Sequence, residues 1–356
     1  MRAIPARVVT LLSIWTGAME TRVTMTLDEI FALVLSVLTA NGLSRDQAEA
    51  IADIVTRAEA DACRSHGLYR VEGYVAGLRA GRVNPTAQPR VRRLRPALLQ
   101  VDGDKGFAPF AANLARPHLI AAARENGIAA MAIGRTHHFS ALWADLEPLV
   151  EAGLVAWCFV VGQCSVAPHG GSAPLMGTNP IGFGWPRPDG APFIFDFATS
   201  AAARGEVELK RLAGEPIPAG WGIDAEGRPT LDPAEALSGA FLPFGGHKGS
   251  ALSMMVELIA GPLIGELTSK QVAALGHRDD GPPPGGELFI ALDPASLGGS
   301  APAVAERFFL DAKAQPGLRL PSERRYAARS RSHASGVGVP SDLLRRIEAL
   351  MPGPAA

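Results

Sequence analysis

Cysteine is scarce in this sequence: three in 356 residues, Cys63, Cys158 and Cys164. That is too few for a disulfide scaffold, and no C-x-x-C pair suggests a metal knuckle. A reducing compartment is expected. Charge of one sign is also lacking. Charged residues make up 19% and the formal net charge is -1, so neither a nucleic-acid-binding surplus nor an acidic tail is present. No run of eighteen apolar residues occurs, so no spanning helix is expected and no membrane partner is implied. Several catalytic signatures are missing as well. There is no G-x-G-x-x-G after a first strand, no Walker A motif, no H-E-x-x-H and no G-x-S-x-G. These absences argue against a Rossmann domain, P-loop enzymes, zincins and common serine hydrolases.

What is present is a 47% hydrophobic chain with 39 glycines and 29 prolines spread without a period. It can bury a large core divided among two or three domains, joined by many tight loops. Residues 1–24 read as a leader or over-extended start. Their run VVTLLSIW is short and lacks a small-x-small cleavage site.

From Thr26 the pattern is helical. Thr26 and Glu29 form a capping box, and Leu27, Ile30, Phe31, Val34 and Leu35 share one face, ending at Asn41-Gly42. Ser44, with Gln47, caps a second helix, and LYRVEGYVAGLRAG is a third. A strand precedes a turn at Asp102-Gly103-Asp104. ANLARPHLIAAARENG is a helix with Pro117 at an end or a kink. IAAMAIGR and LVAWCFVV are apolar strands separated by a helix over 141–151, which indicates an α/β unit. PFIFDFATS is a buried strand, and 208–233 is a Gly/Pro-rich excursion. SALSMMVELIAGPLIG is an apolar helix, GELFIALDP a strand, AVAERFFLDAKAQ a helix, and SDLLRRIEAL a last helix capped by Ser341. The stretch 268–286 looks poorly structured.

Four polar clusters carry chemistry. In Ser65-His66-Gly67-Leu68-Tyr69-Arg70, His66 suits acid–base work near neutral pH, Ser65 could orient it, and Arg70 offers a planar fork for a carboxylate. The alternative is an ordinary junction between helices. Thr136-His137-His138-Phe139-Ser140 lies between a strand and a helix start, where free N–H groups could cradle phosphate with a histidine adding a donor. No acidic or cysteine residue nearby in sequence completes a metal site, and none is expected. PHGGSAPLMGTNPIGF requires close backbone approach, and Asp196 beyond it could orient His66 or cap the next segment. Gly245-Gly246-His247-Lys248 joins flexible backbone, a cation and a helix start, which suits a phosphate. Glu257, the lone charge in that helix, is a partner for Lys248 or another cation.

SHGLYR, GTNPIGF, FDFATSAAARGEV, IPAGWGIDAEGRPTLDP and GGHKGSALSMMVELIAG, in this order, resemble the malate/L-lactate dehydrogenase superfamily of the non-Rossmann type. HHFSALWADLEPL, VAPHGG and LPFGGHKGSALSMMVEL are most similar to the Δ1-piperideine-2-carboxylate/Δ1-pyrroline-2-carboxylate reductases. The resemblance implies an α/β fold with a mixed sheet and flanking helices, and a cytoplasmic homodimer that reduces a cyclic C=N bond with NADPH, NADH serving less well. It implies a helical substrate-side region at 25–100, a nucleotide-binding and dimerisation region at 101–300, and a segment at 301–356 that returns to the cofactor.

In the same terms, His66 is the proton donor, with Ser65 and Asp196 completing its relay, and Arg70 and Thr178 meet the substrate. His137, His138, Phe139, Ser140, Ala141, Gly177, Thr178, Asn179, His247, Lys248, Arg324 and Arg325 meet the cofactor. The same catalytic set would serve a 2-keto acid, so an NAD(P)-dependent 2-hydroxy acid dehydrogenase is the competing reading. A non-enzymatic binding protein would have no use for His66.

Overall fold

The computed structural model describes residues 9–10 and 21–352, except 140, 189, 277–280 and 299–300. Ser140 and the VVTLLSIW run beyond Val9–Thr10 therefore lie outside the described residues. So does most of the leader.

The first body is helical. Helices α1 (Leu27–Ala40), α2 (Arg45–Ala60) and α3 (Val71–Arg79) pack around Ile30, Val34, Leu38, Ile51, Val55 and Tyr74. The Thr26–Glu29 capping box forms as expected. Ser44 occupies the cap position of α2 but makes no side-chain cap bond; Gln47 donates to its hydroxyl at 3.3 Å instead.

This body is closed from both chain ends. Strand β1 (Val9–Thr10) pairs with β2 (Arg22–Met25). The other edge of β2 pairs antiparallel with a late strand, Val337–Pro340. The end of the presumed leader is thus part of a sheet.

The second body is built on a seven-stranded mixed sheet. Its earlier members are β3 (Arg90–Arg95), β4 (Leu98–Asp102), β5 (Ile128–His137), β6 (Val155–Val160), β7 (Ile181–Trp185) and β8 (Phe193–Phe197). Helix α4 (Ala108–Asn126) links β4 to its parallel neighbour β5, and α5 (Leu142–Glu151) links β5 to β6. Pro117 lies inside α4 rather than at its end. Strands β5 and β6 are not neighbours. Strand β12 (Pro284–Leu292) inserts between them, antiparallel to both.

Side-chain alternation along these strands separates two cores, as the two-residue repeat of a strand requires. Met131, Ile133, Ala156, Cys158 and Phe289 face α4 and α5. Ala130, Ala132, Trp157, Phe159 and Leu288 face the other way, where they pack with Val256 and Ala260.

A smaller unit projects from this sheet. It holds α6 (Arg204–Ala213), β9 (Gly222–Ile223), β10 (Pro229–Thr230), α7 (Pro233–Ser238) and β11 (Ala240–Phe241) around Val166, Val207, Ile217 and Phe241. The start of the expected Gly/Pro excursion is therefore helical. Helix α8 (His247–Ile259) follows, then α9 (Ser269–Ala274), a helix with its own Thr268–Gln271 capping box inside the stretch that looked unstructured.

After β12 come α10 (Ala301–Lys313), α11 (Glu323–Ser335), β13 (Val337–Pro340) and α12 (Ser341–Glu348). Helix α11 was not anticipated. Ser341 begins α12 without capping it, because its hydroxyl donates to the Thr21 carbonyl at 2.7 Å. Among the described residues no helix is long and apolar enough to cross a membrane.

Candidate active site

Helix α2 ends at Asp61, and the chain then makes two 3-10 turns, Arg64–His66 and Leu68–Arg70, hinged on Gly67. Gly67 is required by its neighbour. Glu59 reaches beneath the turn to accept the Leu68 N–H at 2.8 Å, and a Cβ on Gly67 would lie 2.1 Å from that carboxylate. The turn puts Ser65 Oγ 3.1 Å from His66 Nδ1. Arg70 donates through Nε to the Ser65 carbonyl at 2.7 Å, and its guanidinium rests 4.7 Å above the Phe139 ring.

His66 faces a cavity of about 570 Å3 whose wall also carries Ser65, Ala141, Trp143, Thr178, Asp196, Arg324 and Arg325. Segments separated by more than 250 residues thus share one chamber. Burial, then the charges of Arg70 and His138, push His66 down to about 3. In the ligand-free chain this favours the neutral imidazole, below the ordinary histidine range.

Asp196 lies across the chamber, where it accepts the Trp143 N–H at 3.4 Å and meets Arg325 Nη1 at 3.4 Å. Among the described residues no hydrogen bond joins it directly to His66. Burial raises its pKa, and Arg325 and the backbone N–H groups of α5 oppose that rise. The start of α5, read from sequence as a phosphate cradle, therefore already holds an anion, the Asp196 carboxylate. Trp143 is stacked among Arg57, Arg325 and Arg329, with ring-to-guanidinium distances of 5.6, 5.2 and 5.8 Å. Its buried indole N–H has no hydrogen-bond partner among the described residues.

The paired histidines are both buried and meet groups on neighbouring segments. His137 Nδ1 donates to the Pro282 carbonyl at 3.1 Å, and His138 Nε2 lies 3.6 Å from Glu287 on β12. Cys158 on β6 donates to the same carboxylate at 3.3 Å. Glu287, distant in sequence from both, thus meets His138 and Cys158. Among the described residues no group of three or more His, Cys, Asp or Glu is arranged to hold a metal.

Gly177 and Asn179 are also engaged internally. Gly177 N–H and Asn179 Nδ2 donate to Glu257 at 3.0 and 3.1 Å, and Ser269 adds its N–H at 3.0 Å and its hydroxyl at 2.5 Å. Glu257 is therefore satisfied by neutral donors, not by Lys248 as expected from sequence. Thr178, between them, lines the chamber, as does Pro180.

His247 and Lys248 are exposed at the start of α8, after Gly245 and Gly246 at φ 58° and 62°, and no side chain caps this helix. They stand outside the chamber but connect to it through aromatic contacts. Phe197 on its wall packs edge-to-face on Phe244 at 5.7 Å. Uncapped N–H groups, a cation and a path to the chamber fit the phosphates of a dinucleotide, and the unpartnered Trp143 N–H and Thr178 fit its polar ring end. Sequence reasoning missed Trp143, Glu287 and Arg329; their burial follows from contacts no local pattern encodes.

The malate/L-lactate dehydrogenase family profile matches residues 25–348. The chain is 61% identical over 338 residues to a Δ1-pyrroline-2-carboxylate reductase of Ancylobacter novellus, covering 94% of this chain and 99% of that one. It is 51% identical to a Δ1-pyrroline-2-carboxylate/Δ1-piperideine-2-carboxylate reductase of Pseudomonas aeruginosa, covering 92% and 99%. The crystal structure of Δ1-piperideine-2-carboxylate reductase from Pseudomonas syringae pv. tomato superposes with a TM-score of 0.88 at 41% identity, covering 92% and 99%.

Proposed function

The chain belongs to the malate/L-lactate dehydrogenase family, on the branch of the Δ1-pyrroline-2-carboxylate/Δ1-piperideine-2-carboxylate reductases, and from that premise we propose that it reduces these cyclic imines to L-proline and L-pipecolate. The observation that carries the reading is the 61% identity to a pyrroline-2-carboxylate reductase over nearly its whole length. NADPH is the proposed cofactor; when bound it supplies the hydride that C2 receives.

Reduction opens the C2=N π bond, whose electron pair goes to nitrogen, and nitrogen ends with one added proton. Arg70 is the proposed carboxylate anchor, aiming C2 while His66 addresses the nitrogen. A carboxylate on Arg70 offsets one of the two charges that hold His66 down, so the imidazole pKa rises in the bound complex and the ring more readily carries the proton that nitrogen receives. A substrate that enters already protonated needs only to be held by the neutral ring. Ser65 fixes the orientation of that ring. Asp196 acts at one remove, by ordering Arg325 and the first turn of α5. Thr178 lines the substrate end, while Lys248, His247 and Arg324 form the cationic approach for the nucleotide. In regional terms, 25–100 supplies the proton-handling wall and 101–300 the nucleotide wall. The segment 301–356 closes the chamber through α11.

A homodimer is proposed on the apolar cleft lined by Phe183, Trp185, Phe193, Val304, Phe308 and Phe309.

The test is an assay of both cyclic imines, pyruvate, oxaloacetate and 3-sulfopyruvate with NADPH and with NADH. Both imines should lead, with NADPH preferred; preference for an open-chain keto acid defeats the substrate assignment. His66→Ala should lower turnover about 10²–10⁴-fold, less if the imine enters protonated, with NADPH affinity retained. Full activity in that variant defeats the mechanism.

A further inference from the structure

The turn that gives Ser65 and His66 to the chamber gives Tyr69 and Arg70 to a second cavity of about 480 Å3, lined also by Glu72, Phe139, Arg204 and Glu208 among others. Its two carboxylates are already committed. Glu208 is gripped by Arg211 through two bonds, at 3.0 and 2.7 Å, and Glu72 is paired with Arg346 at 3.2 Å. Its two arginines are less well matched. Arg70 gives only Nε to the Ser65 carbonyl, which leaves both terminal nitrogens. Arg204 has no hydrogen bond or ion pair among the described residues; the nearest opposite charge it feels is Glu208. Both arginines line the same cavity, and burial pulls both guanidinium pKa values down, with Arg204 depressing Arg70 further.

Their closeness has a local cause. Arg204 opens α6, and the next residue is Gly205. A Cβ there would lie 3.1 Å from Arg70 Nη2 and 3.3 Å from Ser65 Cβ. The absence of a side chain at 205 lets the helix start press directly onto Arg70, so that Arg70 and Arg204 line one cavity. Ala203 makes no cap bond, so the positive end of α6 adds to the same field.

We propose that Arg204 is a specificity-determining residue, the second arm of a two-arginine clamp that, with Arg70, holds the carboxylate of the substrate. The proposal rests on the reading that the substrate is a ring carboxylate. A planar carboxylate satisfies two guanidinium forks at once. An uncharged analogue leaves both cations buried and unpaired, and so is rejected.

The experiment uses full-length enzyme with two variants, Arg204→Leu and Arg204→Gln, the latter serving if the former does not fold. Arg204→Lys tests rescue by charge alone. Steady-state kinetics on Δ1-pyrroline-2-carboxylate are compared with NADPH affinity by fluorescence. Binding of unreactive pyrrole-2-carboxylate and pyrrole-2-carboxamide is measured by calorimetry. Loss of one charge-assisted contact should raise KM and weaken pyrrole-2-carboxylate about 10- to 100-fold, while kcat falls much less and NADPH affinity holds. The preference for carboxylate over carboxamide should shrink by the same factor, and Arg204→Lys should recover part of it. Wild-type KM and wild-type carboxylate affinity in Arg204→Leu or Arg204→Gln would overturn the clamp. A wild-type enzyme that binds pyrrole-2-carboxylate yet reduces neither imine would instead overturn the reductase reading, leaving the clamp to be judged by binding alone.

Discussion

Replacing Arg329 by methionine tests how α11 is held, and the size of the effect follows from what the guanidinium touches. Nε and Nη2 donate to the two oxygens of Asp61 at 2.7 Å each, and Nη2 also reaches Glu147 at 2.7 Å. The Asp61 side chain is 0% exposed and that of Glu147 5%. Glu147 would keep Arg57, whereas Asp61 would lose the arginine that pairs both its oxygens. Orphaning a buried charge costs about 3–5 kcal/mol. Because the Arg329 side chain is itself 27% exposed, water reaches part of the site. The lower end, about 3 kcal/mol, is expected. Urea unfolding followed by far-UV circular dichroism should show the midpoint falling at unchanged slope. The double variant Asp61→Asn/Arg329→Met removes the stranded charge and should recover most of the loss. Activity should fall with the single variant, since the first turn of α11 carries Arg324 and Arg325 on the chamber wall. A single variant within about 0.5 kcal/mol of wild type, or a double variant no better than the single, would refute the reasoning.

Two further outcomes are expected. Burial, reinforced by Glu287, raises Asp145 to about 7, so the folded chain holds a proton there that the unfolded chain releases near 4. Stability should therefore fall as pH rises through that window. Between pH 5 and 8 wild type should lose roughly 2 to 3 kcal/mol relative to Asp145→Asn, and a difference independent of pH would count against it. Sedimentation at micromolar concentration should give a dimer. A charge placed on the apolar cleft, as Phe308→Glu, should shift it toward monomer; a monomeric wild type contradicts the interface.

The parts of the fold legible in the sequence were those written locally. The Thr26–Glu29 box, the Asn41-Gly42 stop and the apolar runs of β5, β6 and β12 are each encoded within a dozen residues. Helix α11 escaped notice because only Ala328 is fully buried on it, so its sequence ERRYAARSRSH has no apolar stripe; it is held by ion pairs instead. The serine caps failed for a related reason. A hydroxyl bonds to whichever donor or acceptor the tertiary fold brings near, and for Ser341 that is the Thr21 carbonyl. At the site, SHGLYR marked the turn because its residues are contiguous. The destinations of His137, His138 and Asn179 were hidden, since Pro282, Glu287 and Glu257 reach them from 78 to 149 residues away.

The position of β12 has a consequence for synthesis. Strands β5 and β6 are complete by Val160, but the strand that joins them ends at Leu292. At about 5–20 residues per second, the roughly 130 intervening residues take on the order of 7 to 26 s to emerge. Through that interval two apolar strands present unpaired edges on the ribosome. The nascent chain is then most open to aggregation, and it is at this stage that a chaperone would most improve the yield of folded enzyme.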